Sequence, residues 1–253
     1  VTTAALGLTL TWPGRVLLAE CDPMGRRVLP GFMADRLRGP AGPGLLGVIA
    51  DADPHAPIAL EQYVVPIAED GRVELLHGVR DPRHGVRLGP LSNRLAHALR
   101  ARNGDVVADL GRVGGTDTPY GLLEAADAVV MVLSGALAQV DAAAPRLELL
   151  RGLVPERVPF GLCLVADGAY SAAEVERALG VPVLAEVPYA PEHARVLSDG
   201  ARPRLTFKTS LLVRSLGGLG RRLRAAVSSS EMVEDVEGDA THSRAATTIG
   251  TSR

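Results

Sequence analysis

The chain has 253 residues and a formal net charge of −2. That is long enough for one large core and too balanced for a general nucleic-acid or membrane-surface binder. Lys208 is its only lysine, so lysine chemistry is denied to almost every position, and the bias toward Arg, Ala, Gly and Val suits a GC-rich bacterial genome. Cys21 and Cys163 lie in separate apolar runs without disulfide-framework or zinc-ligand spacing, which implies reduced, buried thiols in a cytoplasmic protein.

Taken in order, the chain opens directly in structure, with a helix over residues 2–11. Short, nearly continuous apolar runs follow at 15–21, 73–79, 105–110, 128–134, 160–166 and 182–188, the pattern of strands buried on both faces. Helical candidates at 91–102, 138–152 and 171–179 separate them, the last opening on a Ser171/Glu174 capping box. "GPAGPG" (39–44) and "DADPHAP" (51–57) read as loops, as does the arginine-bearing segment 79–90. A final helix over 207–226 carries Arg221, Arg222 and Arg224 near its end, where the helix dipole favours them, and a weak point at Gly217-Gly218. From 228 to 253 large apolar groups thin out and Ser, Thr and acid dominate, so a disordered tail is expected. The longest apolar run, 125–140, is interrupted by Asp127, Ser134 and Gly135 and is too short to cross a bilayer.

This alternation predicts a single α/β domain over residues 1–227, a doubly wound, mostly parallel sheet flanked by helices. In such sheets ligands bind beyond the carboxyl ends of the strands. There the sequence offers Glu20 and Asp22 after the first strand, Asp109 after "DVVA", and "VPYAP" after the last. Two acidic groups on separate strand tips, with Thr2-Thr3 at a helix start, form the set a magnesium-nucleotide site requires: hard oxygens for the cation and unpaired N–H groups for phosphate. Each part has a plainer reading: the Thr pair as a helix cap, "ECDP" as a turn, Asp109 as a cap on the next segment. The six histidines show no metal-ligand spacing.

In joint order and spacing, "TTAALGLTL", "RVLLAECDPMG", "GDVVADLGRVGG", "AADAVVMVLSGALAQV" and "LGVPVLAEVPYAPEHARVLSDG" resemble the MinD/ParA branch of deviant Walker P-loop ATPases, over roughly residues 1–225. The resemblance implies ATP and Mg²⁺ as cofactors. It puts Thr2 at the Mg²⁺-binding hydroxyl, Thr3 at phosphate, Asp22 at the residue that places the attacking water, and Asp109 at the Walker B carboxylate with Gly111 in the adjoining switch. Pro188 and Tyr189 fall in the segment that covers the base. Two positions depart from the family: Val1 stands where the Walker lysine belongs, and Glu20 replaces the first Asp of the Asp-x-Asp-Pro motif. The phosphate loop is therefore degenerate, or truncated at residue 1.

The function implied is a cytoplasmic, ATP-dependent dimerisation switch that positions cellular cargo such as chromosome, plasmid, division site or a pilus or envelope machine. Its partners would be a second copy of itself and a partner protein or cargo adaptor; the sequence gives no strong nucleic-acid or membrane signal. The alternative, favoured by Val1, is a non-hydrolysing scaffold that acts through protein–protein binding.

Overall fold

The computed structural model describes residues 1–51, 56–68 and 70–245, with 231–245 as backbone only. In chain order the elements are α1 (Thr2–Leu10), β1 (Val16–Glu20), α2 (Gly44–Ala50), β2 (Val65–Pro66), β3 (Val73–Leu76), α3 (Pro82–Gly85) and α4 (Leu88–Arg100). There follow β4 (Asp105–Asp109), α5 (Tyr120–Glu124), β5 (Val129–Ser134), α6 (Leu137–Leu153), β6 (Phe160–Ala166), α7 (Ala172–Leu179), β7 (Val183–Pro188), α8 (Pro191–Ser198) and α9 (Leu211–Ala245).

The strands form two sheets, ordered β2-β3-β1-β4 and β5-β6-β7. All pairings are parallel except the short β2 edge. β1 is buried at every residue, and its side chains divide by the two-residue period of a strand. Val16 and Leu18 enter one apolar cluster, while Leu17, Ala19 and Cys21 enter another with Leu45, Leu88, Leu95 and Leu99 of α2 and α4. Helices thus cover both faces, as the doubly wound architecture requires.

The first cluster is the joint of the molecule. It draws Leu6 and Leu8 from α1 and Leu212, Leu216, Leu219 and Leu223 from α9 against β1, and also against Cys163 of β6 and Ala185 and Val187 of β7. One helical layer therefore lies under both sheets, although no strand ladder joins β4 to β5 among the described residues. Close approach within that layer depends on glycine: a Cβ on Gly7 would lie 2.5 Å from a Leu216 methyl. α1 is apolar all round, as a buried helix is. Toward its C-terminal end Thr9 Oγ1 donates to the Ala5 carbonyl at 2.7 Å and the capping Thr11 Oγ1 to that of Gly7 at 2.9 Å. At its far end Trp12 Nε1 donates to Asp105 Oδ2 at 2.6 Å, Arg224 Nε stands 3.4 Å from the same oxygen, and Arg72 Nη1 donates to the Trp12 carbonyl at 2.7 Å.

All six strands read from the sequence are present, within a few residues of the expected bounds, and the Ser171/Glu174 capping box forms with both of its bonds. Three expectations change. α9 does not stop near 226 but continues to Ala245, so residues 228–245 are helix rather than tail, while 246–253 lie outside the described residues. No proline interrupts this stretch, and Ser229 and Ser230 donate back to the Ala225 and Ala226 carbonyls. Gly217-Gly218 is no break, because packing of α9 over α1 outweighs the propensity cost of about 1 kcal/mol per glycine. Within 79–90, Asp81 caps α3 by accepting from the Arg83 N–H at 2.9 Å, and α4 begins at Leu88. Of the loop expected over 51–57, residues 52–55 lie outside the described residues.

Trp12→Ala removes a buried indole and its bond to Asp105 together. A loss of about 3–5 kcal/mol is expected, read as a lower urea midpoint with native far-UV dichroism before the transition.

Candidate functional site

The connections leaving β1 and β4 diverge: one leads to β3 within the same sheet, the other out to β5. The crevice at their carboxyl ends is a topological switch point, where open α/β sheets place ligands. Glu20 and Asp109 are register partners there.

Glu20 is 1% exposed and serves the backbone. Its Oε1 accepts from the N–H groups of Arg27 at 2.7 Å and Val28 at 2.8 Å, and its Oε2 from that of Gly78 at 3.2 Å. One carboxylate thus ties the end of β3 to the loop after β1 and folds residues 22–28 back over the strand tips. Burial pushes its pKa up, partly opposed by those three bonds. The Arg26 N–H donates to the Val79 carbonyl at 2.8 Å, which fixes the same loop from the other side.

Asp22 sits inside this turn, its Oδ1 accepting from the Met24 N–H at 2.9 Å. Asp109 Oδ1 accepts from the Gly111 N–H at 3.0 Å, whereas Asp109 Oδ2 is buried with no hydrogen-bond partner. Gly111, at φ +63°, lies between the two carboxylates, and a Cβ on it would fall 2.2 Å from the Asp22 carboxyl carbon. Burial, chiefly, and the nearby Asp109 charge push the Asp22 pKa up; the Met24 bond and the Arg27 charge oppose them. Two buried like charges and an unpartnered carboxylate oxygen are suited to a hard divalent cation. Among the described residues no group of three or more His, Cys, Asp or Glu is arranged to hold a metal ion.

Thr2 and Thr3 begin α1 and line a cavity of about 470 Å³. The opposite walls are the loop from Arg26 to Gly31 and the end of α8 at Leu197, Ser198 and Asp199. Gly31 lets these walls touch backbone to backbone, since a Cβ there would lie 2.0 Å from the Ser198 carbonyl oxygen. The sequence reading missed Arg26 and Arg27; their signal was "MGRR", directly after "ECDP". Pro188 ends β7 opposite Ala166, Tyr189 is 63% exposed, and neither lines this cavity. Cys21 and Cys163 are buried, and burial raises both thiols, Cys163 to about 11, so neither is a nucleophile.

No protein-family model matches the chain, and no curated protein matches it. Solved structures do. The cell-division ATPase MinD of Pyrococcus furiosus superposes with a TM-score of 0.69 at 16% identity, over 88% of this chain and 92% of that one. The fold is that of the MinD/ParA ATPases. The septum site-determining protein MinD of Pyrococcus horikoshii, complexed with Mg-ADP, gives 0.64 at 15% identity over 88% of each chain. A ParA family ATPase from Chlorobium tepidum gives 0.64 at 16% identity, covering 87% and 89%. In this MinD/ParA-like fold Thr2 and Thr3 open α1, Asp22 follows β1, Asp109 ends β4 with Gly111 after it, and Pro188 ends β7 with Tyr189 after it.

Gly111→Ala drives a methyl into the Asp22 carboxylate at a positive φ. It is expected to cost about 1–3 kcal/mol in stability, measured by urea unfolding. Asp22→Asn keeps the acceptor for Met24 and removes the charge. Because the folded chain holds the Asp22 proton more tightly than the unfolded chain, stability falls as pH rises from the ordinary carboxylate range through the raised value. Asp22→Asn is therefore expected to exceed wild type in urea midpoint at about pH 7.5, the difference closing toward about pH 4.

Proposed function

We propose that this chain is a nucleotide-dependent switch of the MinD/ParA kind, binding ATP with Mg²⁺ and acting in the cytoplasm to position cellular cargo. The observation that carries the proposal is the buried Asp22–Asp109 pair at the β1/β4 switch point, with one Asp109 oxygen lacking a partner. In this reading Thr2 and Asp109 hold Mg²⁺, directly or through water, and Thr3 meets phosphate at the start of α1. Gly111 leaves room between the carboxylates, and Pro188 and Tyr189 lie toward the base. Bound Mg²⁺ would neutralise phosphate charge and the two carboxylates together. In the same reading Asp22, its pKa raised by burial, would orient an attacking water and accept its proton. Nucleotide would bridge two copies of the chain and create the surface that a partner protein or cargo adaptor reads.

Support comes from the fold and from the Mg-ADP complex of the P. horikoshii protein. Among the described residues no helix is long and apolar enough to cross a membrane. A second reading, a scaffold that does not hydrolyse ATP, is favoured by Val1, whose 53% exposed side chain has no charge to offer a phosphate.

Titration calorimetry with MgATP, repeated in EDTA, tests the proposal. Magnesium-dependent binding is expected, weakened about tenfold or more by Asp109→Asn, and phosphate release is expected to fall about 100-fold in Asp22→Asn with binding retained. Binding without turnover in wild type selects the scaffold; no binding removes both nucleotide readings.

A further inference from the structure

We propose that Arg26 and Arg27 make the cavity between α1 and α8 a polyphosphate site, supplying from the loop after β1 the positive charge that Val1 does not. The inference rests on the nucleotide reading for the organic part of the ligand. The arginine pair is its own content.

Both arginines line the cavity, although consecutive residues ordinarily diverge. The backbone holds them there: the Arg27 N–H is bound by Glu20 and the Arg26 N–H by the Val79 carbonyl, so the guanidinium groups hang from a fixed turn. Neither is ion-paired among the described residues; Arg27 feels the Asp22 charge without bonding to it. Asp199 is the acid in the lining, and its carboxylate is already taken, Arg195 Nε standing 3.1 Å away with Ser198 bonded as well. Two arginines therefore line the cavity, and the one acid in its lining is already paired with Arg195.

The other walls suit the same ligand. Thr2 and Thr3 bring hydroxyl groups, and the first intrahelical bond of α1 is Ala5 N–H to the Val1 carbonyl, which leaves the N–H groups before it without helical partners. A cavity of about 470 Å³ is in the size range of small-molecule sites. Guanidinium binds phosphate oxygens in a two-pronged fashion that a lysine ammonium cannot reproduce.

The test uses the full chain and two probes, inorganic pyrophosphate and MgATP, in titration calorimetry. Arg26→Gln/Arg27→Gln is expected to weaken pyrophosphate about tenfold or more. A control of equal charge, Arg177→Gln/Arg222→Gln on exposed helix faces, is expected to bind as wild type, and Arg26→Lys/Arg27→Lys to fall between. Should the glutamine pair unfold, pyrophosphate protection of Arg26 and Arg27 from phenylglyoxal in wild type, mapped by mass spectrometry, gives the same reading, and absence of protection overturns the site. Pyrophosphate binding that is equal in wild type and the glutamine pair, or absent in wild type, also overturns it. If pyrophosphate binds through the arginines and MgATP does not bind, the nucleotide reading fails and the arginine site stands. If MgATP binds equally with and without the arginines, the site fails and the nucleotide reading stands.

Discussion

The carboxylate of Glu20 is the constraint on which the site depends. A buried carboxylate at a strand end is costly, and here the cost is offset by three backbone N–H groups drawn from two segments distant in sequence. The raised pKa says the offset is incomplete. What the bond set fixes is a turn: with the Arg26–Val79 bond it holds residues 22–28 over the tips of β1 and β3. Asp22, Arg26 and Arg27 owe their positions to that turn, so the chemistry of the crevice rests on a residue that itself touches only main chain. Glu20 has the reach to bond the loop on one side and Gly78 on the other.

Around that turn, charge is arranged by depth. Asp22 and Asp109 are buried and repel one another; the arginines line the cavity beside them. A ligand carrying phosphates toward the arginines and a cation toward the carboxylates would relieve both imbalances at once. The main chain keeps the two regions close, since Gly31 seats the loop on α8 and Gly111 seats the β4 turn on Asp22, each with no room for a methyl.

Much of this was legible in the sequence because periodicity reports burial. β1, buried at every residue, reads as a nearly unbroken apolar run, as do the less fully buried β4, β5 and β7, and Ser171 with Glu174 announces a helix start whatever the tertiary context. Asp22 and Asp109 were legible as strand-tip acids. Short elements were not: α2 opens on a glycine-proline run, β2 is two residues long, and α8 hides in a segment read for its Pro-Tyr. The end of α9 was misjudged because composition describes what a segment could bury, not what a helix already formed can extend. The arginine pair escaped for a different reason. Two adjacent cations look like solvated surface until the backbone bonds of Glu20 and Val79 are known, and those bonds span the fold.

The seam between β4 and β5 divides the means of cohesion. Within each sheet, neighbouring strands are joined by directional hydrogen bonds, but among the described residues the two sheets meet through the apolar layer of α1 and α9. The carboxylate crevice at the tips of β1 and β4 is therefore built on the ladders of one sheet, and the cavity beside it, walled by α1 and α8, is built on the apolar layer.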